Sequence, residues 1–182
     1  MTTVVIALLF SCSNARGPGD TADFYGTHSD SDGADNAGGD GTDGEEASGP
    51  VVLNEINHDP LEGSDWIEIY NGSDETIDVA NWQFTDDDAL EELHFLGAFN
   101  TNTVVPAGGF AHFYTENEDE TEGFGIKSAG TETVYLLDES NALIDAKLPD
   151  PAIEDMSFGR VPDGGNTWAN GLEPTPSASN GT

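Results

Sequence analysis

Short runs of apolar and β-branched residues, separated by turn signals, recur throughout the second part of this chain. Turn sequences such as Asn71-Gly72 and Ala107-Gly108-Gly109 separate these runs. No window shows a sustained helical period, and residues 87–92 have room for one helical turn at most. Many short strands with turns between them predict an all-β sandwich or barrel. The predicted strands cover residues 51–56, 66–70, 76–85, 93–96, 104–105, 110–114, 134–137 and 142–146.

The charge balance limits the partners that such a domain can have. Four basic residues face 36 acidic ones, which gives a formal net charge of −32. From residue 51 onward, 27 acidic residues face three basic ones, so the predicted folded part is itself strongly acidic. A field of this sign repels nucleic acid and anionic lipid headgroups, and it favours solubility. We therefore expect no nucleic-acid partner.

The N-terminus has the pattern of an export signal. Residues 4–10 form an apolar run that is too short to span a membrane and fits the hydrophobic region of a secretory signal. The next residues, Leu9-Phe10-Ser11-Cys12, resemble the lipobox of bacterial lipoproteins, in which the cysteine becomes the first residue and carries acyl chains. Residues 1–12 are thus predicted to be a signal peptide, with lipidation at Cys12. The alternative is an apolar N-terminus with an incidental cysteine.

This resemblance also predicts where the protein resides. A lipoprotein is secreted across the inner membrane and touches the membrane through its lipid anchor only, and several acyl chains hold it stably. Ser13, rather than an aspartate, follows Cys12, and this favours the outer membrane or the cell surface. Cys12 is the only cysteine, so an internal disulfide framework is excluded.

Residues 13–50 differ sharply in composition from the rest. They are rich in Gly, Asp, Ser, Thr and Asn, and Phe24 and Tyr25 are their only large apolar residues. Such a segment buries too little surface to offset its chain entropy. We predict a disordered acidic linker that holds the domain away from a membrane.

The order of the blocks in residues 51–182 is similar to that of the bacterial lamin tail domain, which is an immunoglobulin-like β-sandwich. The resemblance implies an all-β fold over residues 51–182 and a non-catalytic accessory module of secreted or membrane-attached proteins. The blocks that carry it are residues 54–56, 65–71, 77–86, 124–127, 133–138, 143–145 and 157–164, followed by Trp168 and Pro174-Thr175-Pro176.

Five residues are predicted to have structural roles. Glu68 and Arg160 lie within blocks that match the family, and a carboxylate partner is expected for Arg160 because the domain has only three basic residues. Trp66, Trp82 and Trp168 are expected to be packed aromatic side chains rather than sugar-binding platforms.

Two acidic clusters make calcium the leading ligand hypothesis. Asp86, Asp87, Asp88 and Glu91 gather after a predicted strand, with Glu92 beside them. Hard divalent cations take several oxygen ligands from such loops, and a cation relieves the repulsion between the carboxylates. The alternative is solvated loop charge without a ligand. The second cluster comprises Glu116, Glu118, Asp119, Glu120 and Glu122.

Catalytic patterns are missing from the sequence. There is no Gly-x-Ser-x-Gly elbow and no phosphate-binding glycine loop followed by lysine. His28, His58, His94 and His112 lack metal-ligand spacing, although strand positions could bring the last two together. We therefore expect no enzyme and no cofactor, and calcium is a hypothesis beside the alternative of solvated loop charge.

The functional hypothesis is a membrane-anchored protein of the cell envelope whose β-sandwich binds an envelope or extracellular protein or polymer. The alternatives are a calcium-binding surface or adhesion module, and an accessory or remnant of an extracellular hydrolase.

Overall fold

The computed structural model describes residues 49–117 and 122–181, which all belong to one unit spanning residues 41–182. Eleven strands and a single helical turn form its regular structure. In chain order they are β1 (Val51–Asn57), β2 (Trp66–Asn71), β3 (Ile77–Asp78), β4 (Gln83–Thr85), β5 (His94–Phe95), α1 (Leu96–Phe99), β6 (Val104–Val105), β7 (Phe110–Tyr114), β8 (Val134–Leu137), β9 (Leu143–Lys147), β10 (Ser157–Arg160) and β11 (Trp168–Leu172).

The strands form two main sheets. The larger sheet has the order β11-β10-β1-β2-β7 and the smaller one β5-β4-β8-β9, while β3 and β6 make a separate two-stranded ribbon. Every paired strand in these sheets is antiparallel to its neighbour. The all-β prediction is confirmed, and the arrangement is that of an immunoglobulin-like sandwich.

The core lies between the two sheets. Strand β2 contributes Ile67 and Ile69 from its inner face, as the alternation in its sequence predicts, and β4 and β8 contribute Phe84 and Leu136 from the facing sheet. All four side chains are fully buried. The opposite, outer face of the larger sheet carries Glu68.

Two predicted strands differ from the structure. Residues 76–85 form β3 and β4 with a turn between them. The turn has two hydrogen bonds: Ala80 N–H donates to the Asp78 carboxylate, and Trp82 N–H donates to the Val79 carbonyl. Residues 93–96 give only β5, after which Leu96 starts the helical turn α1. Residues 87–92 form a loop and not a helical turn, and backbone N–H groups of this loop donate hydrogen bonds to the Asp87 carboxylate.

The predicted signal peptide, Cys12 and nearly all of the predicted linker lie outside the described residues. Of the linker, Gly49 and Pro50 are described, and the Pro50 carbonyl accepts a hydrogen bond from Gly72 N–H at 2.7 Å.

Candidate functional site

A bulge in β1 sets up a polar cluster on the outer face of the larger sheet. Leu53 lies opposite Ile69 and Glu55 lies opposite Glu68, so Asn54 has no residue of β2 across from it. Because the extra residue shifts the alternation, Leu53 and Ile56 both reach the core. Asn54 and Glu55 instead interact with groups of the outer face.

Glu55 is fully buried without a cation. Its carboxylate accepts hydrogen bonds from the Ser157 hydroxyl, from Thr175 N–H at 3.1 Å and from Thr175 Oγ1 at 3.0 Å. Burial raises the pKa of Glu55, and the hydrogen bonds from Ser157 and Thr175 oppose that rise. Glu55 thereby links β1 to β10 and to the tail that follows β11.

Glu68 is the most perturbed acid of the cluster. Asn54 Nδ2 donates to Glu68 Oε1 at 3.1 Å, while Oε2 has no hydrogen-bond partner within bonding geometry. Burial raises the pKa of the Glu68 carboxyl to about 8, and the charge of Glu55 raises it further. The hydrogen bond from the Asn54 amide lowers the pKa of Glu68. The backbone N–H groups of Ser177 and Ala178 face the carboxyl and also lower this pKa, although they do not close a full bond to Oε2. Glu68 is therefore mostly protonated at neutral pH.

Residues 174–181, named here the strap, lie over these two acids. Ala178 N–H donates to the Thr175 carbonyl at 2.9 Å, and Ser177 has a φ of 60°. With Pro176 in second place, this is the pattern of a type II turn, although its third place usually takes glycine. The turn aims Ser177 Oγ at His112 Nδ1, at 2.8 Å. The strap therefore crosses β1, β2 and β7.

Asn180 fixes the far end of the strap. Its Nδ2 donates to the carbonyls of Asn54 and Arg160, both at 3.1 Å, and its N–H donates to Asp163 Oδ1 at 3.0 Å. A Cβ on Gly159 would lie 2.5 Å from Asn180 Nδ2, so the glycine provides the space that this side chain occupies. Asp163 also accepts a hydrogen bond from Asn54 Nδ2 at 3.0 Å.

Arg160 joins the two sheets on the inner side. Its Nη2 donates to Asp145 Oδ2 of β9 at 2.9 Å, and both side chains are buried. The ion pair also bonds to the main chain of Leu53. Leu53 N–H donates to Asp145 Oδ2 at 2.9 Å, and Arg160 Nε donates to the Leu53 carbonyl at 2.7 Å. Burial raises the pKa of Asp145, whereas the guanidinium and these N–H donors favour the ionised form.

The three tryptophans occupy different positions. Trp66 is buried on β2 and meets the ring of His112 edge-on, with centroids 5.9 Å apart. Trp82 is partly buried and packs against the core. Trp168 stacks on Phe158 with centroids 4.9 Å apart, and Arg160 Cζ lies 4.7 Å from its ring centroid. Their structural roles, like those of Glu68 and Arg160, stay predictions that substitution tests.

The predicted calcium ligands have separate partners. Asp87 accepts the N–H groups of Ala89, Glu91 and Glu92, and these bonds lower its pKa. Asp88 accepts the Tyr135 hydroxyl at 2.9 Å. Burial, and then the charge of Glu132, raises the pKa of Asp86.

Within residues 49–117 and 122–181, no group of three or more His, Cys, Asp or Glu side chains is arranged to hold a metal. Glu118, Asp119 and Glu120 of the second cluster lie outside the described residues, while Glu116 forms a β-bridge with Gly123. The calcium site stays a prediction.

The histidines are distributed over different parts of the domain. His94 packs among Phe84, Phe99 and Phe124 on the smaller sheet, whereas His112 lies on β7 of the larger one. His58 is buried, and its Nε2 lies 3.0 Å from the Asp150 carbonyl. His28 is outside the described residues.

Sequence reasoning missed most of the outer-face cluster. Glu55 was available as a signal, because an acid lies within a strand that begins with Val51-Val52-Leu53 and continues with Ile56. Thr175, Asn180 and Asp163 carried no comparable signal, since each lies in a polar turn where such residues are ordinary.

The fold and the polar cluster together define the class of domain: it is an antiparallel immunoglobulin-like sandwich whose buried polar side chains hold its sheets and tail together. Residues 45–147, more than half of the chain, match the family model of the Lamin Tail Domain. The chain belongs to that family. Among curated proteins, none matches the sequence. The described part of the chain contains no helix of the length and apolarity needed to cross a membrane.

Proposed function

We propose that this protein is a non-catalytic binding module, anchored to a membrane of the cell envelope by lipid on Cys12 and held outward by the acidic linker. Its lamin tail-type sandwich would contact an envelope or extracellular protein or polymer. The family supports the binding-module class. The observation that carries the non-catalytic assignment is that buried ionisable side chains bond to other groups of the domain.

Those side chains bond within the domain. Arg160 and Asp145 pair across the two sheets, and Glu55 receives donors from β10 and the strap. A catalytic acid or base must instead reach a proton on a substrate. The acidic surface supports a basic or neutral partner, because like charges across an interface are unfavourable.

In-cell photo-crosslinking of the full chain tests the binding role. A crosslinker at exposed Tyr114 on the larger sheet should capture a reproducible product, compared with one at exposed Leu148 as a positional control. Capture of no defined partner from any exposed position contradicts the proposal. Turnover of an envelope or extracellular polymer that one carboxylate substitution abolishes would establish the hydrolase alternative.

The anchor is tested on the N-terminal peptide of native protein by mass spectrometry. The expected product begins at Cys12 and carries acyl chains, and Cys12→Ser should leave the protein unacylated and released from membranes. An uncleaved, unmodified N-terminus in the wild type contradicts the anchor.

A calcium-binding surface or adhesion module is the second candidate, and the raised pKa of Asp86 beside Glu132 is the observation that favours it. A cation near two such carboxylates would relieve their repulsion. Calorimetric titration should then give heat, and calcium should raise the melting temperature. Neither effect would occur if the loop charges are only solvated.

A further inference from the structure

The strap is separable from the hydrophobic core. Among the described residues, the buried core and the hydrophobics packed against it end with Trp168, so no residue of the strap contributes to it. The described hydrogen bonds of the strap are polar contacts to β1, β7, β10 and the Asp163 loop. A segment held in this way can open while the sandwich stays folded, because its opening leaves the apolar core buried.

Beneath the strap lies a row of carboxyl groups that lack a cation, and with the strap removed this row would form an open groove. Glu55, Glu68 and Asp163 form the row, and their donors are N–H and O–H groups of the strap and of neighbouring polar residues. Both ion pairs found among the described residues lie elsewhere. Glu68 is 0% exposed, and its Oε2 has no hydrogen-bond partner. One carboxyl oxygen beneath the strap is therefore without a hydrogen bond while the strap is in place.

We propose that this groove is a binding site for an arginine side chain of a partner protein, and that the strap covers it when no partner is bound. The inference rests on the proposed binding function and deepens it, because it names the chemistry of the partner.

The geometry of the groove favours a guanidinium group. Glu55 and Glu68 face each other across β1 and β2, where directly opposed Cβ atoms are about 5 Å apart. A guanidinium has five N–H donors in a planar fork, which can serve two neighbouring carboxylates, whereas an ammonium group is a point charge. It would replace the Thr175 donors to Glu55 and would also reach Oε2 of Glu68, to which no described group closes a hydrogen bond. Because a cation beside the carboxyl lowers its pKa, binding would release to solvent the proton that the covered Glu68 holds at neutral pH.

The charge of the domain acts in the same direction. With 27 acidic and three basic residues from position 51 onward, the surroundings attract a cationic side chain. Arg160, on the neighbouring strand β10, is bound to Asp145 on the inner side and does not serve the groove.

The strap competes with the ligand, and this competition supplies the test. Gly159→Ala places a methyl group 2.5 Å from Asn180 Nδ2, so the Asn180 side chain must move and the strap loses the bonds that this side chain donates, while all three carboxylates remain. Asn180→Ala releases the strap by a second route. In both variants a larger fraction of the chains has an open groove, so the apparent affinity should rise in proportion to that fraction.

The experiment is an NMR titration of the full-length chain with the blocked peptide acetyl-Gly-Gly-Arg-Gly-Gly-amide, and with its lysine counterpart. Salt of about 0.15 M limits long-range attraction to about 8 Å. Both strap-release variants should bind the arginine peptide ~10-fold tighter than the wild type, and more tightly than the lysine peptide. Adding Glu68→Gln should remove ~10-fold in affinity, while the exposed Glu75→Gln should change it less than about twofold.

Three results overturn the inference. Strap-release variants that bind no better than the wild type exclude a covered site, and equal losses for Glu68→Gln and Glu75→Gln indicate only diffuse charge attraction. Equal affinity for the lysine peptide excludes guanidinium recognition. In each case a partner still captured from cells by the full chain leaves the general binding function intact, so the two failures are distinguishable.

Discussion

Replacing Glu68 with glutamine should change how the stability of the domain depends on pH. Burial holds the pKa of this carboxyl at about 8 in the folded protein, against 4.5 as its ordinary value. The folded state therefore binds the proton more tightly than the unfolded state does. The associated stabilisation is fully present below about pH 4.5, declines as the pH rises, and is lost once the pH passes about 8.

The size of the effect follows from that difference. Each pKa unit corresponds to about 1.4 kcal/mol, so between pH 5 and pH 9 the wild type should lose about 4 kcal/mol through this group alone. Glutamine has the shape of the protonated acid and does not titrate. The free energy of unfolding of Glu68→Gln, relative to that of the wild type, should therefore rise by about 4 kcal/mol over this range, unless strap opening relieves the ionised acid at a smaller cost.

Urea unfolding at pH 5, 7 and 9 provides the measurement. Comparing the two proteins at each pH cancels the contributions of the other titrating groups, and Glu75→Gln controls for the loss of one surface carboxyl. Hydrogen exchange of residues 175–181 reports strap opening in the same samples. If the stabilities of Glu68→Gln and the wild type run parallel within about 0.5 kcal/mol, and the strap does not open with rising pH, the account of this buried acid is refuted.

Three further substitutions test other parts of the structure. Asp145→Ala leaves the Arg160 guanidinium buried without its partner and should cost about 3–5 kcal/mol in urea unfolding, whereas the exposed Asp74→Ala should cost almost nothing. Phe84→Ala removes a fully buried ring from the core and should cost about 3–5 kcal/mol. Ser177 has a positive φ, which glycine adopts without strain. Hydrogen exchange in the strap should therefore be slower in Ser177→Gly than in Ser177→Ala, by a factor equivalent to about 1 kcal/mol. Equal exchange rates would contradict the strain at this position.

The general fold was predictable from the sequence because it depends on local periodicity. Alternation of Ile67 and Ile69 with polar neighbours fixes which face of β2 enters the core, and the ordered blocks identify the family. The break between β3 and β4 was not predicted, since it depends on a hydrogen bond from Ala80 N–H to the Asp78 side chain rather than on the apolar pattern.

The polar cluster was beyond prediction for a different reason. Its members come from distant parts of the chain, and an individual residue such as Thr175 or Asn180 looks like any other polar turn residue. Their roles arise from convergence, which depends on the bulge at Asn54 and on the missing side chain of Gly159. Neither feature has a local sequence pattern. Glu68 and Arg160 were singled out through their family blocks. The predicted carboxylate partner of Arg160 is present, but the sequence did not identify it as Asp145, and no partner was predicted for Glu68.

The position of β1 shows why the folded unit extends beyond the part that matches the family model. That match ends at residue 147, yet β1 lies between β2 and β10, and β10 comes from residues after that point. Without β10, the main chain at Ile56 would lose a neighbouring strand and the buried Asp145 carboxylate would lose Arg160. An unpaired strand edge and an unpaired buried charge are both strongly unfavourable. Residues 148–181 therefore complete the sandwich, and the strap closes the outer face of the sheet that they complete.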